Sequence, residues 1–81
     1  SAFATDARLA LLTLHERARD CPAAIEVARG LESVGAGSFT QRIAHYWCEL
    51  ALEADARGQA ADGDTALQRA REAQPVGGML L

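Results

Sequence analysis

The chain is poor in the residues that make strands. Aromatics are 5% of its 81 residues, Val and Ile are few, and no sustained stretch alternates apolar with polar side chains, so strands are not expected. An excess of basic residues is also missing. The net charge is −3 with both signs interspersed, which argues against nucleic acid as the main partner, because a phosphate-binding domain carries a basic face. No apolar run approaches the length of a bilayer span; "GGMLL" at residues 77–81 is far too short, so the fragment makes no membrane contact of its own. Two cysteines, Cys21 and Cys48, are too few for a disulfide framework and read as reduced thiols. There is no Gly-rich phosphate loop, nucleophile elbow or HExxH, so nothing points to an enzyme. "DGD" at 62–64 lacks the other ligands of a calcium loop and falls where acids suit a helix start.

What the chain has is alanine, the strongest helix former and small enough to let helices approach closely. Four helices are expected. The first covers about 5–19, with Ala7, Leu11, Leu14 and Ala18 as the buried stripe and Leu9, Leu12 and Glu16 on another side. "DCP" breaks it, and Asp20 is placed to cap the second, about 22–34, whose inner face is Ala24, Val27, Ala28 and Leu31. Gly30 inside that helix suggests a close backbone approach, and "GAG" at 35–37 ends it. Ser38 and Gln41 form a capping-box pattern for the third helix, which runs to about Arg57 with Gly58 as its stop. The fourth covers about 60–74, with Pro75 beyond it.

A repeat runs through these helices. Counting from Trp47, Leu50, Ala51, Ala54, Gly63, Leu67, Ala70 and Pro75 fall at the spacing of the tetratricopeptide repeat, a 34-residue helix–turn–helix unit. Ala54 departs from the aromatic usual at its position, and Gly63 from the usual alanine. Two antiparallel helices need small residues where backbones come closest and large ones in the adjoining holes. A more degenerate copy lies 39 residues upstream: Leu11 matches Leu50, Leu12 matches Ala51, Ala24 matches Gly63, Ala28 matches Leu67 and Leu31 matches Ala70. The expected fold is all-α, a solenoid fragment of tetratricopeptide-repeat hairpins. Repeat one covers about 5–38, an extended loop about 35–42, repeat two about 44–77, and residues 78–81 open a further repeat.

The block "IAHYWCELAL" at 43–52, with "AAIEVARGLESVG" upstream and the long loop after it, resembles the lipopolysaccharide assembly protein B family of bacteria. The resemblance spans about Ala7 to Pro75. It implies a cytoplasmic repeat segment of an adaptor anchored in the inner membrane, which helps the protease FtsH degrade the deacetylase of the lipid A pathway and so restrains lipopolysaccharide synthesis. FtsH and that deacetylase are the implied partners. The family's transmembrane helix and its CxxC pairs for a rubredoxin-like metal module are missing from these 81 residues, so no cofactor is expected in this piece.

The chemically loudest stretch is "QRIAHYWCELALEADARG" at 41–58. Successive residues on a helix turn by about 100°, so His45, Tyr46, Trp47 and Cys48 cannot converge on one atom. Trp47 joins Ile43, Leu50, Ala51 and Ala54 on the packing stripe. His45, Cys48, Leu52 and Asp55 form a second stripe, which the resemblance turns toward the concave groove of a repeat array. The equivalent residues of the first repeat are Asp6, Leu9, Thr13 and Glu16. Together they suggest a mildly acidic, partly apolar surface for a peptide carrying basic and apolar residues. Two alternatives stand beside this reading. One is a repeat module of another adaptor or a chaperone-docking protein. The other is a small metal-binding domain using His15, His45, Cys21 and Cys48, whose ligand types suit zinc but which lack its paired short spacings. Two repeats also leave apolar end faces, so self-association through the end helices is expected.

Overall fold

A computed structural model of the chain describes residues 2–74. Among these the structure is all-helical: α1 (Ala2–Arg17), α2 (Cys21–Ser33), α3 (Thr40–Ala56) and α4 (Ala60–Ala73). Pro75 and residues 78–81, where the repeat's closing proline and the start of a further repeat were expected, lie outside the described residues. The chain divides into two compact units between Phe39 and Thr40, the first a hairpin of α1 and α2, the second a hairpin of α3 and α4.

Both hairpins turn in the same way. α1 ends with Asp20 N–H donating to the His15 carbonyl (2.9 Å) and Arg19 N–H to that of Glu16 (3.1 Å). Thirty-nine residues on, α3 ends with Gln59 N–H donating to Ala54 (2.8 Å) and Gly58 N–H to Asp55 (3.0 Å). This is the paired hydrogen-bond pattern of a Schellman cap, which satisfies the last carbonyls of a helix and requires one left-handed residue just past its end. Gly58 takes that conformation at φ 75°, as its lack of a Cβ allows. Arg19 takes it at φ 56°, without that freedom. α2 ends with the same pattern at Gly35 (φ 74°), through bonds to Glu32 and Leu31. The next helix also begins alike in the two units: Ala24 N–H donates to the Asp20 carbonyl and Gly63 N–H to that of Gln59, both at 3.0 Å.

Local chemistry accounts for the helix starts. Asp20 is the N-cap of α2, its carboxylate accepting from Ala23 N–H (3.3 Å), with Pro22 in the first turn where its missing N–H costs nothing. α3 begins at Thr40, which sets Ser38 one residue outside the cap position, and the connection spans 34–39 rather than 35–42. Glu32 shapes this connection by reaching forward from α2 to accept the Phe39 N–H (2.8 Å).

Burial differs between the two hairpins. In the second, Ala51, Ala54, Gly63, Ala66 and Ala70 are buried. These small residues let α3 and α4 pack along much of their length. In the first, Ala24, Ala28 and Leu31 of α2 are fully buried, as expected, and Ile25 joins them at 3% exposure. Val27 is only half-buried. Leu12 is the one buried residue of α1. The stripe expected to be buried there, Ala7, Leu11, Leu14 and Ala18, is exposed, with Leu14 at 60%. A helix in a two-helix hairpin buries the side facing its partner; in α1 that side is centred on Leu12, and the apolar stripe lies about 120° away from it. Gly30 is likewise not a site of close approach, since a Cβ added there meets nothing within 4 Å. The close approach is at Gly63, where a Cβ would collide with the Asp55 carboxylate and touch the Ala51 carbonyl oxygen at 3.5 Å.

Candidate functional site

The stripe on α3 stands in solvent over most of its length. His45 has its side chain 68% exposed and its Nε2 3.8 Å from Glu49 Oε1 on the next turn, a pairing that an exposed site makes worth little. Cys48 is half-buried and Leu52 is 64% exposed. Asp55, at the end of the stripe, has an exposed carboxylate that folds over the Cα of Gly63, so α4's lack of a side chain at that point gives the acid its seat. The corresponding residues of α1 form an exposed stripe of their own. Asp6, Thr13 and Glu16 are exposed and Leu9 is 38% exposed. Thr13 Oγ1 donates to the Leu9 carbonyl (3.2 Å), which turns the hydroxyl back onto its own helix. Each stripe thus mixes one exposed leucine with polar and acidic groups, on the first helix of its hairpin.

The α3 helix does deal its loud residues to separate sides. Tyr46 is buried at 4% exposure, which the packing stripe read from the sequence did not include. Ile43, Ala51 and Ala54 are buried as expected. Trp47 and Leu50, assigned to the same stripe, are only half-buried. They line an open depression of about 250 Å³ in the α3–α4 hairpin, with Glu53, Ala54 and Arg57 from α3, Gln59 from the turn, and Asp62, Thr65 and Ala66 from α4. Sequence reasoning missed this concavity. Its signal was present in the spacing, since Trp47, Leu50 and Ala54 share one side of α3 and that side is wider than one partner helix covers.

No three of His, Cys, Asp or Glu gather closely enough to hold a metal ion among the described residues. His15 and Cys21 lie in the first unit; His45 and Cys48 share one side of α3 in the second, where they are a pair without a third ligand. No described helix is long and apolar enough to cross a membrane.

No family model, curated protein or solved structure matches the chain.

Proposed function

We propose that the chain is a non-enzymatic interaction scaffold built of tetratricopeptide-type hairpins, and that it binds a peptide segment of a protein partner through the first helix of each hairpin. The observation that carries this reading is the 39-residue register. Turn hydrogen bonds recur at that offset, and so do buried positions: Leu12 with Ala51, Ala24 with Gly63, and Leu31 with Ala70. Repetition of one supersecondary unit is the mark of architectures whose work is to display a surface. His45, Cys48, Leu52 and Asp55 are the displayed set in the second hairpin, and Asp6, Leu9, Thr13 and Glu16 in the first. Both are acidic with an apolar residue in the middle, which suits an extended or helical segment with basic and apolar side chains.

At the finer level, the block "IAHYWCELAL" supports a repeat segment of the lipopolysaccharide assembly adaptor, on the cytoplasmic side of the inner membrane, with FtsH and the lipid A pathway deacetylase as partners. The test is binding of purified deacetylase and of the FtsH cytoplasmic region to the immobilised chain, wild type against a His45→Ala/Asp55→Asn double variant. Retained helicity with lost binding supports both the groove and the parent. Binding of neither protein removes the adaptor assignment. Equal binding by wild type and variant removes the groove.

A further inference from the structure

We infer that the apolar ridge of α1 seats in the α3–α4 depression of a second copy of this chain, in a head-to-tail contact. The surfaces differ from the two acidic stripes, so this contact does not depend on the peptide-binding reading.

The ridge consists of Phe3, Leu11 and Leu14, respectively 84%, 41% and 60% exposed, with Ala7 and Ala18 on the same side of the helix. Large aliphatic and aromatic groups at such exposure carry a favourable free energy of burial that the hairpin leaves unused. The second hairpin offers a concave counterpart, floored by Trp47, Leu50 and Ala66. The lengths agree: Phe3 to Leu14 rises about 16 Å along α1, and Trp47 to Arg57 about 15 Å along α3.

Charge decides between ridge-in-groove and ridge-on-ridge pairing. Arg8 and Arg17 border the ridge, one on each side, against a single acid, Asp6. The depression carries the opposite balance, with Glu53 and Asp62 against a single base, Arg57. Pairing α1 with α1 of another copy would set two basic borders along one seam, where like charges oppose association. Seating α1 in the depression sets basic borders against acidic walls. Because ridge and groove lie on different units of the chain, the contact is heterologous, and a joined pair still presents one free ridge and one free groove unless a ring closes.

The test is sedimentation of the chain at concentrations up to about 1 mM, where even weak contacts are populated. The weight-average mass should rise with concentration to at least double that of the monomer. Leu14→Glu removes the ridge and Thr65→Arg fills the groove. Both positions are exposed, so both variants should keep the wild-type far-UV spectrum; Leu14→Gln and Thr65→Lys replace either variant that does not. Each variant alone should sediment as a monomer. Mixed in equal amounts, they should associate, because one supplies an intact groove and the other an intact ridge. A wild-type monomer throughout, association by either variant alone, or a monomeric mixture overturns the proposal.

Discussion

Gly30 and Gly58 should respond in opposite directions to the same substitution. Gly30 lies inside α2 with helical backbone and an open space where a Cβ would sit. Its carbonyl accepts from Val34 N–H (3.3 Å) and Ser33 Oγ (2.8 Å), bonds that alanine keeps. Gly30→Ala therefore adds helix propensity and removes freedom from the unfolded chain at no steric cost, a gain of about 0.8–1.0 kcal/mol. Gly58 sits at φ 75° in the α3–α4 turn, so Gly58→Ala forces a Cβ into the left-handed region and should cost about 1 kcal/mol. Gly63→Ala should fall between them. It makes the same propensity gain, but the Asp55 carboxylate must swing off its seat into solvent. Urea unfolding followed by far-UV circular dichroism reads all three. With a slope of about 1 kcal/mol per M for a chain this small, Gly30→Ala should raise the midpoint by about 1 M and Gly58→Ala should lower it by a similar amount. A Gly30→Ala variant with an unchanged or lowered midpoint would refute the reasoning, since it would mean that something not seen in the helix packs against that glycine.

The turns and connections yield three further expectations. Arg19→Gly should stabilise the first hairpin by about 0.5–1 kcal/mol, because φ 56° costs arginine what glycine does not incur; the midpoint of the same urea titration checks it. Asp20→Ala removes the side-chain acceptor at the start of α2 and should cost about 1 kcal/mol, while Asp20→Asn, which keeps an acceptor, should cost much less. Glu32→Ala leaves the Phe39 N–H without its carboxylate partner in a part-buried connection and should cost about 1.5 kcal/mol, with Glu32→Gln recovering most of it in thermal unfolding.

The parts of this fold that could be read from sequence are those governed by short-range chemistry. Asp20 before Pro22, Gly35 and Gly58 each mark a helix end with a residue whose side chain or freedom from a Cβ solves a local hydrogen-bonding problem, and the helices stop there to within a residue or two. Arg19 shows how far that goes. Nothing about an arginine announces a left-handed turn, yet its counterpart one register away is Gly58, so the repeat carried the information that the residue itself did not. Burial is different in kind, because apolar periodicity shows that a face favours cover without showing what covers it. The stripe of α1 has the right spacing for a core and stands in solvent. Trp47, which marks the repeat register, is half-buried at the rim of a depression rather than sealed in a core. These two departures share one cause. α1 and α3 each carry apolar surface on more sides than one partner helix covers, so each buries one side and leaves another open.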